Sequence, residues 1–195
     1  MSRHLLSTTA KYHIERVSMR QLTLLKGQQQ AVWPNVVIGQ IPKVMLFGML
    51  PSDALVGYND RNPFNFHHFD LSFVSAEVDG QVYPSRGYEM DFANRVTLAG
   101  YEGLLDCLER LNEPGGELPF DRWEYGNGGF TLYGFDFTPR HTGRGALSLI
   151  KQGNLNVNLR FAKPLPEGIV CIAMLVFDNI IEIDNNRQVL FDFAP

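Results

Sequence analysis

Residues Asn154 to Phe161 read NLNVNLRF, with Leu155, Val157, Leu159 and Phe161 on one side and Asn154, Asn156, Asn158 and Arg160 on the other. A period of two at four successive apolar positions is the pattern of a β-strand buried on one face. Lys163-Pro164-Leu165-Pro166-Glu167-Gly168 ends it, because neither proline can donate to a ladder and the glycine permits a tight turn. Ile169 to Phe177 then run apolar without a break and are rich in β-branched residues, as in a strand covered on both faces. Asp178-Asn179 interrupts the run and Ile180 to Ile183 resume it. Asp184-Asn185-Asn186 turns the chain into Val189-Leu190-Phe191. Strands and turns at this spacing predict antiparallel β-structure arranged as a sandwich.

The bulk properties agree with a packed domain and narrow its chemistry. A chain of 195 residues makes one large domain or two small ones, and no stretch has the composition of a linker. At this length roughly 70 % of the unfolded surface can be buried, so neither a disulfide nor a metal is needed to hold a core. Fourteen phenylalanines suit the gap between two sheets, which large flat side chains fill. The net charge of −4, with no Lys/Arg cluster, argues against holding a nucleic acid by phosphate neutralisation. Arg140, Arg144 and Lys151 read as solvated loop charge. Cys107 and Cys171 are too few for a disulfide framework, and Cys171 sits in an apolar run where a thiol acts as a small hydrophobe. A reducing compartment is the expectation. The start, MSRHLLSTTAKYHIERV, lacks the apolar core of a signal peptide, and the longest apolar run is about half of what spans a bilayer. The chain reads as soluble, not secreted, and without a membrane partner.

Taken in order, residues 1–10 read as a flexible segment and 11–195 as a single domain. Lys11–Val17 and Met19–Lys26 alternate as two strands, Trp33-Pro34-Asn35 reads as a turn, and Val36-Val37-Ile38 opens another extended piece. Lys43 to Leu50 reads as a buried strand, followed by a loop through Tyr58 to Pro63. Phe69 to Val78 alternates with Phe69, Leu71, Phe73 and Ser75 on one face. Asp79-Gly80 is a strong hairpin signal, because a type I′ turn needs positive φ at both central residues, and Gln81-Val82-Tyr83 returns. Thr97 to Leu111 carries Leu98, Tyr101, Leu104, Leu105, Leu108 and Leu111 at helical spacing, with Thr97 as N-cap. Phe130 to Thr138 is an aromatic strand, and Ala146 to Lys151 could hold a helical turn. About eight strands and one short helix result.

No catalytic, cofactor or metal constellation emerges. His67 and His68 are adjacent, so on an extended segment they point to opposite faces and cannot close on one metal. The histidine spacing of the cupin-type jelly-roll metalloenzymes does not occur. Asp178, Glu182, Asp184 and Asp192 lack the spacing of a calcium loop. Gly143-Arg144-Gly145 lacks the lysine of a phosphate loop, no GxSxG is present, and neither cysteine lies in an electropositive setting.

Five stretches in unbroken order together resemble one family. They are NPFNFHHFDLSF (62–73), VDGQVYPS (78–85), FTLYGFDFTP (130–139), LIKQGNLNVNLRF (149–161) and FDNIIEIDNNRQVLFDF (177–193). The family is the major capsid protein of Polinton (Maverick) elements and adintovirus-like viruses, of the double jelly-roll lineage. The similarity runs from about Ala10 onward and matches the C-terminal jelly roll, since the chain has the length of one. The resemblance implies an antiparallel jelly-roll sandwich without an active site, assembling with copies of itself and other capsid proteins into trimeric, pseudo-hexagonal capsomers. It implies a place in the virion capsid after synthesis in the cytoplasm or nucleus of a host cell. The alternative is a single jelly-roll binding module that recognises a carbohydrate or protein through the loops Tyr58–Asn65 or Trp123–Gly129. Either way, far-ultraviolet circular dichroism should be dominated by strand; a helical spectrum would refute the fold.

Overall fold

Residues 9–57, 60–111, 115, 118–138, 151–184, 186–191 and 193 are described by a computed structural model. The strands are β1 (Ala10–Leu24), β2 (Gln30–Gln40), β3 (Val44–Pro51), β4 (Leu71–Val78), β5 (Gln81–Glu89), β6 (Leu132–Asp136), β7 (Gln152–Phe161), β8 (Ile169–Ile183) and β9 (Val189–Phe191). Two helices, α1 (Leu98–Cys107) and α2 (Arg122–Asn127), lie between β5 and β6, and a 3-10 turn (Ser52–Leu55) follows β3. One sheet has the order β1-β8-β3-β6, with β9 paired to β8, and the other has the order β2-β7-β4-β5. All pairings between named strands are antiparallel. Eight strands crossing between two four-stranded layers in this order make a jelly roll.

The alternation of β7 becomes geometry directly. Leu155, Val157, Leu159 and Phe161 are buried, and they meet Met45, Phe47 and Met49 of β3 and Cys171, Ala173 and Leu175 of β8 in one core. Each fully buried side chain of this size contributes about 1.5–3 kcal/mol relative to exposure. The intervening asparagines face outward, where Asn158 Nδ2 donates to Glu77 Oε2 and Asn154 Nδ2 to Asn35 Oδ1. The Asp79-Gly80 hairpin forms as read: Val78 pairs with Gln81, and φ is +48° and +84° at the two turn residues.

Several elements differ from the sequence reading. β1 is one strand of fifteen residues, not two, because its full length pairs with the equally long β8. Asp178-Asn179 does not interrupt β8. Arg16 Nε donates to Asn179 Oδ1 at 3.1 Å, and Gln40 accepts from Asn179 at 3.1 Å, so the polar pair is bonded within the ladder. Trp33-Pro34-Asn35 is a register shift within β2, with Asn35 at φ +54°, while Trp33 stays in the core. In β4 the inward residues are Leu71, Val74, Ala76 and Val78, since a bulge between Leu71 and Phe73 reverses the parity that put Phe73 and Ser75 beside Leu71. Phe69 lies outside the strand at φ +46°. The expected flexible segment falls largely on residues 1–8, outside the described residues, while Ala10 already pairs with Ile183. The helical turn at 146–151 likewise falls mostly outside them.

The helix expected at 97–111 runs from Leu98 to Cys107, and Thr97 makes no side-chain cap. It packs on the outward side of β6 at very close range. A Cβ on Gly134 would collide with Cys107 and the Gly103 carbonyl, and one on Gly103 would collide with the Tyr88 ring. The glycines that lower helix propensity are therefore what allow helix and sheet to touch. The second helix, α2, was not expected.

Tyrosine hydroxyls join these layers. Tyr88 donates to the Gly134 carbonyl at 2.6 Å, linking the edges of the two sheets, and Tyr125 donates to the Leu132 carbonyl at 2.9 Å. The buried Tyr133 hydroxyl has no hydrogen-bond partner among the described residues. Two substitutions of the same size should thus differ in sign. Tyr88→Phe should lower stability by about 1 kcal/mol, whereas Tyr133→Phe should leave it unchanged or raise it, because a buried unpaired hydroxyl is itself a cost. Urea titrations of the two variants check this; equal losses would refute it.

Candidate functional site

Two surfaces stand out. The first is the outward face of β1, β8 and β3. Met19, Met174 and Leu46 form one cross-strand row, and Val17, Val176 and Val44 form the next. Val17 and Met19 are each 55 % exposed, and the other four are half-buried. The face has a charged border. Lys43, just before β3, pairs with Asp178 at 2.9 Å and with Glu15, while Lys11 and Glu182 pair at 3.0 Å farther along. Burial pulls the Lys43 ammonium down, but the hydrogen bonds to Glu15 and Asp178 outweigh it and leave the pKa above its ordinary value. The outward face of the other sheet is different in kind, with asparagines along its central strand.

The second surface is a cavity of about 370 Å³ between the 66–70 segment, the 91–97 turn and α2. Its wall is the His68 imidazole stacked on the Phe92 ring, with centroids 4.0 Å apart and planes 7° from parallel. His68 Nδ1 accepts the Asp70 amide at 2.8 Å, which requires that nitrogen to carry no proton. Burial lowers the imidazole pKa against the pull of Asp70. Arg95, Arg122, Trp123 and Asn127 line the rest, and Trp123 is 59 % exposed. Asp121 also reaches the cavity, but its Oδ1 is committed to the amides of Trp123 and Glu124 at 2.7 and 2.8 Å.

The remaining residues weighed from the sequence are dispersed. His67 lies beside Asn65 at 3.2 Å, away from the His68 stack. Asp178 and Glu182 are in ion pairs, and Asp184 accepts the Gln188 amide at 2.8 Å; Asp192 lies outside the described residues. No cluster of three or more His, Cys, Asp or Glu able to hold a metal occurs among the described residues. Cys107 and Cys171 are buried, and burial pushes the Cys171 thiol up to about 12, where no thiolate forms at neutral pH. Lys151 lies over the Tyr83 ring; Arg140, Arg144 and Tyr58 fall outside the described residues. Among the described residues, no helix is long and apolar enough to cross a membrane. Of the loop aromatics, Phe64 is 77 % exposed. Trp123 belongs to a helix that the Asp121…Glu124 capping-box spacing could have revealed.

Comparison with known proteins locates the fold. No protein-family model matches the chain. It is 25 % identical over 183 residues to an uncharacterized protein of Caenorhabditis elegans (F54H12.2), covering 93 % of this chain and 44 % of that protein. Its structure is similar to a chain of the PBCV-1 virus capsid, with a TM-score of 0.52 and 10 % identity, over 96 % of this chain and 52 % of that one. It is also similar to a chain of the Sputnik virophage, with a TM-score of 0.50 and 12 % identity, over 96 % of this chain and 40 % of that one. The jelly roll is thus of the kind found in viral capsid proteins, and the chain spans about half the length of these relatives or less.

The charged border supplies a test of how the face is held. The Lys43 and Asp178 side chains are 14 % and 15 % accessible, between the exposed and the buried extremes. Lys43→Met should therefore cost about 1–3 kcal/mol in urea unfolding at pH 7, leaving Asp178 beside Glu15 with only the His13 imidazole, 3.8 Å away, as a basic neighbour. Because folded Lys43 holds its proton more tightly than an unfolded lysine, this stability is present at neutral pH and fades above the lysine's ordinary pKa. An unchanged midpoint would contradict it.

Proposed function

We propose that this chain is a structural capsid protein of virus type, without enzymatic activity, that assembles with copies of itself and with other capsid proteins. Its lineage is that of the Polinton (Maverick) and adintovirus-like major capsid proteins, and its place is the virion. In the complete assembly its capsomers are trimeric and pseudo-hexagonal. It contacts neither nucleic acid nor membrane directly.

The observation that carries this reading is the outward face of β1, β8 and β3. A sheet face normally alternates polar-out against apolar-in, as β7 does. β8 instead places Ile172, Met174 and Val176 outward, beside Val17 and Met19, in a patch edged by ion pairs. An apolar centre within a charged rim is the anatomy of a protein contact, and extended apolar patches on monomers mark such contacts. The likeness of the fold to viral capsid chains supports another copy of the same chain as the occupant, and a specific contact needs about 800 Å² from each partner.

Sedimentation of the full chain over a range of concentrations should show reversible self-association. The double variant Met19→Glu, Met174→Lys should weaken it at least tenfold while leaving the circular dichroism spectrum unchanged. A chain that stays monomeric throughout, or a double variant that associates as before, would overturn the proposal.

A further inference from the structure

The cavity beside α2 serves neither the core nor the apolar sheet face, and its lining sets two arginines against one carboxylate, Asp121, whose Oδ1 is held by two α2 amides. Two arginines, Arg95 and Arg122, line it from separate elements. Among the described residues, neither forms an ion pair with a carboxylate. Arginines with no ion-pair partner among the described residues, sharing a concave site in a protein of net charge −4, offer bidentate donors to a ligand carboxylate. Beside them stand two flat apolar surfaces, the exposed Trp123 indole and the His68–Phe92 stack. Asn127 donates its Nδ2 to the Trp123 carbonyl at 3.0 Å, which leaves its Oδ1 as an acceptor for hydroxyl groups.

We propose that this cavity binds an acidic sugar, a pyranose carrying a carboxylate, presented at the end of a glycan. The apolar face of the ring lies on Trp123, the carboxylate meets the two guanidinium groups, and the hydroxyls meet Asn127. The volume of about 370 Å³ falls at the lower end of small-ligand sites, which suits one sugar residue. An acidic peptide shares the carboxylate but has no pyranose face to lay on the indole, and an extended strand would overrun a cavity of this size. Neutral sugars would leave both guanidinium groups unpaired.

The test titrates the full chain with 3′-sialyllactose, with lactose as the neutral control and hexaglutamate as the anionic peptide. Saturation-transfer difference NMR and tryptophan fluorescence are the readouts. Trp33 is buried in the core, so a ligand-dependent fluorescence change reports on Trp123. Sialyllactose should bind at least tenfold more tightly than lactose, with the largest saturation transfer on the sialic acid ring. Trp123→Ala and Arg122→Gln should each weaken binding at least tenfold. Arg95→Gln should do the same, and it lies outside α2, so a failure of that helix to fold cannot mimic the result. Arg20→Gln, on a distant strand, should leave binding unchanged. Equal binding of lactose and sialyllactose, hexaglutamate binding without sialyllactose, no binding at all, or indifference to Arg95→Gln and Arg122→Gln would each overturn the proposal.

Discussion

Fifteen backbone positions of β1 pair one to one with fifteen of β8, and β3 pairs with eight positions on the other side of the same strand. This double ladder is the constraint on which the remaining structure depends. It sets β8 as the spine of one sheet, so its inward residues Cys171, Ala173, Leu175 and Phe177 meet the inward face of β7 across the core. It also fixes what points the other way. Once register is chosen, parity leaves no freedom: Met174 must stand beside Met19 and Leu46 on the outer surface. The apolar patch and the core are two sides of one pairing, and a one-residue slip of register would exchange them.

How far this could be read from the sequence depends on whether a local pattern carried the information. β7 was legible because its two faces differ in chemistry at every step. The Asp79-Gly80 hairpin was legible because only certain residues accept its dihedral angles. The uninterrupted apolar run of β8 signalled two covered faces, and the structure leaves the outer one partly open to solvent. β4 was misread because a bulge shifts parity, and no residue type announces a bulge. α2 was missed because six residues carry too little periodicity, although its capping box was visible. The cavity was not legible at all. His68, Phe92, Arg95 and Trp123 are separated by up to 55 positions (123 − 68) and meet only through the fold.

The two outer faces of the sandwich differ in what their central strands present, asparagines on β7 and apolar residues on β8. On the β2-β7-β4-β5 side, Asn158 reaches Glu77, Asn156 accepts the Asn35 amide, and the Arg160 guanidinium lies over the Phe73 ring at 5.5 Å. These contacts pair polar groups along the centre of the sheet, while Val32 and Ile38 of β2 stand exposed at its edge. On the opposite side, α1 covers β6 and Phe66 crosses Gly48, but no element covers the middle of β8 among the described residues. The helix is thus a partial lid whose reach ends where the apolar rows begin.

The long ladder between β1 and β8 also has a temporal side. Its partners lie 145 to 173 positions apart, from Leu24 with Ile169 to Ala10 with Ile183, so all the residues between them must be synthesised before they can meet. Contacts of such separation are slow to form, because the entropy of closing the intervening loop comes before any reward. During that interval β1 is a nascent strand with open hydrogen-bonding groups and with Val17 and Met19 bare. Its three lysine and arginine residues, Lys11, Arg16 and Arg20, outnumber its one acidic residue, Glu15, and this net positive charge discourages two waiting strands from pairing with each other before the right partner emerges.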